Sequence, residues 1–227
     1  RPRRVRWRDV PLLVERHGPD GVPIVLLVNL LVGLILGYQA ALQLQKYGAS
    51  IFVADLVGLS VVRELGPLMT AIIVAGRSGA AFAAEIGTMK VSEEVDALRT
   101  IGLSPYGFLV WPRALALALV LPVLTLLADG FGVLGGMLVG VGALGLAPIA
   151  YWNETVGAIG WNDVASGLIK SFAFAFVIAL IACERGLQTT GGAEGVGRST
   201  TSSVVSTILS LIVLDAVFAV LFSMWGI

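Results

Sequence analysis

Apolar stretches long enough to cross a lipid bilayer constrain this sequence more than any other feature. A helix needs about 20 residues to span roughly 30 Å of hydrocarbon. Such stretches occur at about 22–44, 61–84, 111–140, 164–183 and 201–225. Because 57% of the 227 residues are hydrophobic and only 13% are charged, a soluble domain of this length could not bury so much apolar surface. The sequence therefore predicts an all-α integral membrane protein with five transmembrane helices.

The segments outside these spans are predicted from their polarity and length. Residues 1–21 combine charged and apolar side chains, which is typical of an amphipathic segment at the membrane interface. Residues 49–60 are too few to cross a bilayer and are predicted to form a short helical re-entry. Prolines in the third span predict an elbow or a kink near its start. Residues 143–163 and 184–200 are predicted to be loops.

The distribution of basic residues predicts the orientation of the spans. With a cytoplasmic N-terminus, the outer segments contain little beyond Lys46. The cytoplasmic segments then contain Arg1, Arg3, Arg4, Arg6, Arg8, Arg16, Lys90, Arg99, Arg113, Arg185 and Arg198. Because basic residues accumulate on the cytoplasmic side of membranes, we expect the N-terminus inside and the C-terminus outside.

Several functional classes find no support in the sequence. Cys183 and His17 are single residues of their types, so an intrachain disulfide and a cysteine metal site are excluded and a histidine-based catalytic site is disfavoured. Gly-rich matches at 130–135 and 140–145 lie in or beside a span, without the strand that a dinucleotide site requires. There is no P-loop, and the basic N-terminal run is a membrane anchor rather than a nucleic-acid site. The chain begins at Arg1 rather than at Met, which leaves open whether another domain precedes it.

Small residues recur at every fourth position along three spans. The stripes are Gly33, Gly37 and Ala41; Ala71, Ala75, Gly79, Ala83 and Gly87; and Ala128, Gly132, Gly136 and Gly140. Small side chains allow membrane helices to approach closely. Tight packing within the chain explains such stripes, and the alternative is a face on which helices slide or subunits dimerise.

Charged residues inside apolar spans are costly unless they are paired or face water. Arg77, Asp129 and Asp215 lie within spans, and Arg63 and Glu64 begin the second span. One interpretation is a set of buried ion pairs, for example Arg77 with Asp215. The other is a polar cavity open to water, which we favour for Arg63 and Glu64.

Glu64 is the strongest single candidate for a site residue. Pro67 has no backbone N–H, so the carbonyl of Arg63 loses its helical partner and the turn is loosened. A carboxylate beside a loosened turn reorients at little cost. We therefore expect Glu64 to face a cavity, where it gates or positions a lipid headgroup. The alternative is a surface ion pair with Arg63 or Lys46.

An amphipathic segment follows the second span. Residues 85–99 place Met89, Glu93 and Asp96 at helical spacing, with apolar side chains on one face and acidic ones on another. A solvated loop is one interpretation, and a docking surface for a soluble partner is the other. Ser92 is positioned to cap the short helix that follows.

Four linked motifs and their order carry a family resemblance. The motifs are Val62-Arg-Glu-Leu-Gly-Pro-Leu-Met69, Ala75-Gly-Arg-Ser-Gly79, Ala84-Glu-Ile-Gly-Thr-Met-Lys90 and Glu93-Glu-Val-Asp-Ala-Leu98. In this order they resemble the MlaE/YrbE family, permeases of ABC transporters that work with MCE-domain proteins in lipid traffic across the bacterial envelope. The likeness continues through Pro112-Arg113, Gly135-Gly136, the stretch 193–201 and Asp215. It covers nearly the whole chain from about residue 20.

The resemblance implies a transmembrane permease domain over residues 22–227, acting as a homodimer in the bacterial inner membrane. The expected partners are two cytoplasmic P-loop ATPase subunits that bind ATP and Mg, a periplasmic MCE-domain oligomer and, in some members, a STAS-domain protein. The expected cargo is phospholipid moved between the inner and outer membranes, which maintains the lipid asymmetry of the envelope. The chain is then a transport subunit rather than an enzyme, without a cofactor of its own. Neither the direction of transport nor the exact lipid follows from the resemblance.

The resemblance also implies two sets of site residues. A lipid pocket between the two subunits would be lined by Leu36, Gln43, Leu44, Tyr47, Arg63 and Glu64. Gln43 is more polar than an acyl-chain contact requires. A coupling helix at about 85–99, seated in the ATPase, would use Glu85, Met89, Lys90, Glu93, Glu94, Asp96 and Arg99.

Two functions from other classes compete with this assignment. An ion-coupled secondary transporter of a hydrophobic substrate would use Glu64, Arg77 and Asp215 as a proton relay. Such transporters are usually built from internal repeats, and none is evident in this sequence. An intramembrane enzyme acting on lipids would need a metal cluster or a Ser–His pair, and the sequence provides neither.

Overall fold

The computed structural model describes residues 9–225, most of which are helical. Ten α-helices follow one another: α1 (Asp9–His17), α2 (Val22–Leu44), α3 (Val53–Ser60), α4 (Gly66–Val74), α5 (Ala80–Val91), α6 (Glu94–Thr100), α7 (Trp111–Gly142), α8 (Pro148–Ala158), α9 (Trp161–Leu187) and α10 (Gly192–Trp225). Three π-helical turns lie at Val61–Leu65, Ala75–Gly79 and Tyr106–Val110. The N-terminal arginines from Arg1 to Arg8 lie outside the described residues.

Five helical stretches of the described chain are long and apolar enough to cross a membrane. They are Val22–Tyr47, Ser50–Val91, Tyr106–Gly142, Trp161–Leu187 and Gly192–Met224. Backbone N–H and C=O groups in a bilayer must bond within the protein, and a helix meets this requirement along its whole length. The prediction of an all-α membrane protein with five transmembrane helices is confirmed.

Three connecting segments differ from their predictions. Residues 49–60 do not form a separate re-entry, because Ser50–Val91 is one helical stretch of 42 residues. The loop predicted at 184–200 shrinks to the turn at 188–191, and the segment 143–163 contains α8 and the start of α9. Gly, Ser and Thr have weak helix propensity in isolation, but here they extend the long helices α9 and α10, and adding residues to an existing helix is easier than nucleating a new one.

The third span begins irregularly, at the place where the prolines predict an elbow. The π-helical turn Tyr106–Val110 leads directly into α7, and Pro112 occupies the first turn of that helix. The N–H of Trp111 donates to the carbonyl of Tyr106, five residues earlier, and this wider turn accommodates the proline that follows, which has no N–H to donate. Pro122 lies further inside α7, which continues past it.

The chain forms two compact units. The first contains described residues 9–21 together with Ala71–Leu121 and Phe172–Leu214. Its fully buried side chains include Phe82, Ile86, Leu117, Phe174 and Ile178. Helices α5, α7 and α9 therefore supply the apolar interior of this unit.

The second unit contains Val22–Thr70, Pro122–Ser171 and the residues from Asp215 onward. Within it α2 packs against α3, and α3 packs against α8. The core cluster consists of Ala40, Ala41, Val53, Ala54, Val57, Val61, Val139 and Tyr151. Small and β-branched side chains dominate this cluster, which allows the helices to lie close together.

Glycines bring α2 and α7 into backbone contact within the second unit. A Cβ atom at Gly33 would overlap the carbonyl oxygen of Gly132, and one at Gly37 would lie 3.0 Å from the Cα of Gly136. A Cβ at Gly136 would in turn lie 2.7 Å from the hydroxyl of Tyr151. These contacts agree with the packing interpretation of two of the small-residue stripes.

Candidate functional site

A cluster of three charged side chains lies in the second unit. Lys170, on α9, is fully buried, and its ammonium contacts the carboxylate of Glu64 and that of Asp215, the latter at 3.0 Å. Glu64 is the most exposed member, with 38% of its side chain accessible compared with 13% for Asp215. An isolated ammonium inside a membrane protein is costly, so the two carboxylates explain how this lysine is tolerated.

A π-helical turn carries Glu64. The N–H of Gly66 donates to the carbonyl of Val61, five residues earlier, which is the bond that defines such a turn. Pro67 follows and has no N–H to continue the regular α-helical pattern. The wider turn is the loosened geometry that the proline predicts, and π-helical turns of this kind are frequent at functional sites.

A second ion pair involves the residue before Glu64. The guanidinium of Arg63 lies 2.9 Å from the carboxylate of Asp163, in the first turn of α9. A groove of about 400 Å³ is lined by Arg63, Gly157, Ala158, Gly160, Trp161, Asn162 and Asp163. About a third of the Arg63 side chain, 32%, is accessible, so a cation that pairs with a carboxylate borders a polar groove. Guanidinium groups in such positions bind phosphate and carboxylate oxygens well.

The partners of two predicted site residues differ from those that the sequence suggests. Glu64 pairs with Lys170 rather than with Arg63 or Lys46. The sequence suggests Arg77 as the partner of Asp215, but the ammonium that neutralises Asp215 belongs to Lys170. Contacts between residues so far apart in the chain depend on helix packing, which local sequence does not specify.

Lys170 and Asp163 are site residues that the sequence analysis misses. Lys170 is the single charged residue in the apolar run 164–182. A lysine in such a run is costly unless it has a partner. Its position in the sequence therefore indicates a buried ion pair. Asp163 gave no such sign, because it lies at the polar edge of the span.

The residues assigned to a lipid pocket by resemblance fall into two groups. Leu36 and Leu44 are half-buried and pack against the core cluster of the second unit. Gln43 and Tyr47 are exposed, with 83% of Tyr47 accessible. Beside them α2 presents an apolar exposed face formed by Ile24, Leu27, Leu31, Leu34, Ile35, Tyr38 and Leu42.

The segment predicted as one coupling helix is two helices joined by a turn. Helix α5 ends at Val91 and α6 begins at Glu94. Glu93, in the turn, has a φ of 63°, a left-handed conformation that side chains disfavour. The prediction that Ser92 caps α6 is wrong, because α6 has no side-chain cap and the hydroxyl of Ser92 donates back to the carbonyl of Thr88 at 3.0 Å.

Ion pairs connect the two helices across this turn. The ammonium of Lys90 lies 2.7 Å from the carboxylate of Asp96, and the guanidinium of Arg99 lies 3.2 Å from it. The hydrogen bond from Lys90, together with the charges of Lys90 and Arg99, lowers the pKa of Asp96. Glu93 and Glu94 are exposed. These two carboxylates are therefore acidic groups of the predicted coupling segment that a partner protein can reach.

Glu85, at the start of the predicted coupling segment, is engaged within its own unit. Its carboxylate lies 2.9 Å from the guanidinium of Arg113, which also stacks over the ring of Phe82 at 5.5 Å and donates to the carbonyl of Leu109 at 2.9 Å. Met89, one turn further on, is half-exposed. Glu85 thus contributes to packing, and Met89 remains accessible.

Arg77 and Asp129 are the remaining charged residues that the sequence analysis singles out inside spans. Arg77 is exposed and lies in the π-helical turn Ala75–Gly79. Asp129, on α7, is buried against Gly66, where a Cβ atom would overlap its carboxylate. Among residues 9–225, no group of three or more His, Cys, Asp and Glu side chains is placed to hold a metal ion.

Comparisons with known proteins find relatives over most of the chain. The sequence model of a family described as Permease MlaE matches residues 13–221. A probable ABC transporter permease protein of Synechocystis sp. is 41% identical over 210 residues, which cover 92% of this chain and 80% of the relative. The intermembrane phospholipid transport system permease protein MlaE of Haemophilus influenzae is 36% identical over 212 residues, 92% of this chain and 81% of the relative. The chloroplastic protein TRIGALACTOSYLDIACYLGLYCEROL 1 of Arabidopsis thaliana is 37% identical over 219 residues, 96% of this chain and 63% of the relative.

Proposed function

This chain belongs to the permease MlaE family of ABC transporters, and from that premise we propose that it moves phospholipid between the two membranes of a bacterial cell envelope. The Haemophilus influenzae relative is named as the permease of an intermembrane phospholipid transport system, and this supports the choice of cargo. The observation that carries the proposal is the buried cluster of Glu64, Lys170 and Asp215 next to the half-exposed Arg63. Charged groups inside a membrane span are costly and are kept where a polar substrate passes.

The proposal includes the partners that an ABC permease requires. The sequence contains no GxxxxGK[ST] motif, so two cytoplasmic ATPase subunits would bind ATP and Mg and supply the energy. A homodimer of the chain would lie in the inner membrane, with the N-terminus in the cytoplasm and the C-terminus in the periplasm, as the basic residues suggest. An MCE-domain oligomer would receive or deliver lipid on the periplasmic side, and a STAS-domain protein would join in some systems.

Arg63 is proposed to bind the phosphate of the lipid headgroup. Its guanidinium is held by Asp163 and borders a groove of about 400 Å³. Guanidinium groups donate two parallel hydrogen bonds to phosphate oxygens, which fixes the headgroup as well as attracting it. An arriving phosphate would compete with Asp163 for these donors.

Glu64 is proposed to move between Lys170 and the lipid path. It is the most exposed of the three clustered residues, and its π-helical turn lacks the regular bonding that would fix its position. Lys170 keeps Asp215 as a partner when Glu64 moves away, so the buried ammonium stays neutralised. An anionic headgroup near Lys170 would displace the Glu64 carboxylate, which links lipid arrival to its position.

The test of the lipid site compares three substitutions at one position. Glu64→Gln keeps the shape and removes the charge, Glu64→Ala removes both, and Glu64→Lys reverses the charge. Each variant is purified, its bound phospholipid is quantified by mass spectrometry, and the barrier integrity of cells carrying only that variant is measured. We expect altered lipid occupancy in all three. Glu154→Gln, which removes a carboxylate from α8 in the same unit, is the matched control and should match the parent.

Parent-like behaviour of all three Glu64 variants at equal expression would show that Glu64 is structural. Identification of the proteins that copurify with the parent tests the partners in the same preparation. A P-loop ATPase and an MCE-domain protein are expected, and their absence would contradict the proposed assembly.

Coupling to the ATPase is tested at the two exposed carboxylates, Glu93 and Glu94, where α5 ends and α6 begins. Charge reversal of Glu93 and Glu94 together should abolish ATPase association and transport while the permease stays folded in the membrane, because both carboxylates are accessible. Glu194→Lys is the matched control, since Glu194 is an exposed carboxylate outside the turn. Undiminished pull-down of the ATPase by the double variant would place its docking surface elsewhere.

The dimer is tested by crosslinking through single cysteines in a Cys183→Ser background. Leu36 and Leu44, the positions suggested by resemblance, pack against the core cluster, so exposed neighbours are better sites. Tyr38 and Leu42 are about half accessible, 53% and 51%, and cysteines there should crosslink between subunits. Crosslinks on another span with none on α2 would show that a different face forms the dimer.

An ion-coupled secondary transporter is the second candidate function. The charged residues inside the membrane spans are the observation that supports it. Glu64, Lys170 and Asp215 are close enough to exchange protons. Lipid flux in proteoliposomes distinguishes the two functions. Transport by the chain alone under a proton gradient supports the alternative, and transport that requires the ATPase and ATP supports the ABC transporter.

A further inference from the structure

A polar cavity lies in the first unit, at the turn that joins α9 to α10. Its volume of about 350 Å³ is within the range that is typical of ligand sites. Two guanidinium groups line it, that of Arg185 from the last turn of α9 and that of Arg198 from α10. Neutral polar side chains, among them Gln188, Thr190 and Ser202, form other parts of the wall. The cavity thus combines two cations with neutral hydrogen-bonding groups.

A second polar cavity follows the same two helices. It has a volume of about 290 Å³, shares Arg185 with the first cavity and is also lined by Ser206 and Ser210 of α10. Leu180 and Leu209, each next in sequence to a residue of this wall, are 51% and 64% accessible. A molecule with an anionic head at Arg185 would therefore find apolar surface for a hydrocarbon tail along these helices.

Arg185 has a charge that the described chain does not neutralise. The residue is half-buried, and the hydroxyl of Ser206, at 3.0 Å, is the one hydrogen-bond partner of its guanidinium among residues 9–225. A guanidinium has five N–H donors and stays protonated in proteins, so loss of a proton cannot remove its charge. Water accepts hydrogen bonds from these donors, but an anion also neutralises the charge, which favours an anionic ligand.

The second guanidinium is held only by a surface ion pair. Arg198 lies 3.3 Å from Glu194, and 82% and 86% of these side chains are accessible, so the pair contributes little and exchanges easily. Glu194 is also the carboxylate in the wall of the larger cavity, which therefore carries two positive charges against one negative charge. In the smaller cavity Glu184 accepts a hydrogen bond from Gln188 at 3.0 Å.

The cavity lies beside the helix that leads to the predicted coupling segment. A Cβ atom at Gly87 of α5 would lie 2.9 Å from the hydroxyl of Thr189, and one at Gly186 of α9 would lie 2.8 Å from the Cβ of Ile86. The basic residues predict that this end of the helices faces the cytoplasm. An anion in the cavity would then come from the cytoplasm or from the inner leaflet of the membrane.

We propose that the larger cavity is a phosphate-binding site, in which Arg185 and Arg198 bind the phosphate group of a phospholipid from the cytoplasmic leaflet. Guanidinium groups bind phosphate through parallel charge-assisted hydrogen bonds. Inorganic phosphate has the same chemistry, but it makes no use of the apolar surface. The site lies in the first unit, whereas Arg63, Glu64 and Lys170 lie in the second. Its failure would therefore leave the function proposed for those residues unaffected.

A thiol in the wall reports whether the cavity is occupied. Thr190→Cys introduces one in a Cys183→Ser background, and the full chain is purified in dodecyl maltoside, which contains no phosphate. Modification of the thiol by N-ethylmaleimide is followed by mass spectrometry. We expect saturating dodecyl phosphate to slow the modification about tenfold, because charge-assisted hydrogen bonds hold the phosphate in the cavity. Dodecanol, which has the same chain without the phosphate, should leave the rate unchanged.

Thr201→Cys is the matched control, because Thr201 is an exposed residue of α10 that does not line the cavity. Its modification should be the same with and without dodecyl phosphate. Protection of the thiol at position 190 by dodecyl phosphate alone supports a lipid headgroup as the ligand, and protection by inorganic phosphate as well supports a site for any phosphate. Absence of protection by both, or equal protection by dodecanol, would overturn the proposal.

Two arginine variants test which groups bind the phosphate. Arg185→Gln retains a donor for Ser206 and removes the charge, so the protection of Thr190→Cys should be lost. Arg198→Gln changes an exposed side chain, so it covers the case in which Arg185→Gln does not fold, and it should weaken the protection. Arg99→Gln is the control, since Arg99 is an exposed guanidinium of the same unit outside the cavity. Undiminished protection in either arginine variant of the cavity would overturn the proposal.

Discussion

Each unit of the molecule contains a lysine held by carboxylates, and the two lysines lie in opposite environments. Lys170, in the second unit, is fully buried, and its partners are Glu64 and Asp215. Lys90, in the first unit, retains 24% of its side-chain surface, and its partner Asp96 retains 45%. Water therefore screens the Lys90–Asp96 pair more than it screens the ammonium of Lys170, which is fully buried. Breaking the buried cluster therefore leaves a charge in a poorly polarisable interior, whereas breaking the surface pair returns two charges to solvent.

The two sites also differ in how their partners are encoded. Lys90 and Asp96 are six residues apart and meet across one turn. Lys170 is 106 residues from Glu64, so this contact forms only after the helices pack. The Lys90–Asp96 pair stabilises a local turn, whereas the cluster around Lys170 depends on the fold of a whole unit.

The largest predicted effect is at Lys170. Lys170→Met leaves Glu64 and Asp215 next to each other without a cation, and we expect a loss of about 3–5 kcal/mol in the free energy of unfolding. Reversible unfolding in bicelles measures this loss. The triple variant Lys170→Met, Glu64→Gln, Asp215→Asn should recover most of the stability, because it removes the unpaired charges. A single variant as stable as the parent would contradict the buried cluster.

A smaller effect is expected at Gly66, where the structure has no space for a methyl group. Gly66→Ala places a Cβ against the carboxylate of Asp129 and 2.9 Å from the carbonyl oxygen of Val61. We expect a loss of about 1–3 kcal/mol in the free energy of unfolding. Gly76→Ala is the matched control on the same helical stretch, because a Cβ there meets nothing within 4 Å. Equal losses in both variants would indicate a general effect of glycine rather than the close contact.

Much of the fold could be predicted from local sequence. The five spans follow from hydrophobic length, and the loosened turn at Glu64 follows from Pro67, because both depend on properties of neighbouring residues. The family motifs are also local, and the comparisons confirm the family. The loop expected at 184–200 is wrong, because the weak intrinsic helix propensity of Gly, Ser and Thr does not prevent α9 and α10 from extending through most of this segment.

The site was less predictable, because its decisive contacts link distant segments. Neither the pairing of Lys170 with Glu64 nor that of Arg63 with Asp163 can be read from spacing along the chain. A charged residue in a span indicates only that some partner exists. Which partner it is depends on how the π-helical turn Val61–Leu65 packs against α9 and α10.

A smaller effect is expected in the exposed turn between α5 and α6, which contains Glu93. Glu93 has a φ of 63°, and Glu93→Gly should stabilise the turn by about 1 kcal/mol, because glycine adopts this conformation without steric cost. Hydrogen exchange of the α6 amides measures the change. Glu93→Ala is the control that removes the carboxylate and keeps the unfavourable conformation. It should not gain stability, and a gain as large as that of glycine would attribute the effect to charge.

The smallest expected effect is at Asp96, the partner of the more exposed lysine, Lys90. The hydrogen bond from Lys90 and the charges of Lys90 and Arg99 lower the pKa of Asp96 below its ordinary value of about 3.9. A carboxyl group with a lowered pKa stabilises the folded state above its unfolded pKa and loses that contribution as the pH falls through its folded pKa. The turn should therefore be slightly more protected in the parent than in Asp96→Asn at pH 7.

This difference in protection should be constant from pH 7 down to about pH 4, should decline as the pH falls from there through the lowered pKa of Asp96, and should vanish once Asp96 is protonated in the folded state as well. Hydrogen exchange of the α6 amides, corrected for the intrinsic rate at each pH, measures it. Glu194→Gln is the control, because Glu194 pairs with Arg198 in a fully solvated position and should leave α6 unchanged. Asp96→Asn should not lower the hydrogen-exchange protection of the second unit, whereas Lys170→Met should. An equally large loss of protection in both variants would contradict the difference between the exposed and the buried lysine. A parent–variant difference that did not decline at all as the solution was acidified below pH 4 would show that shape rather than charge holds the turn.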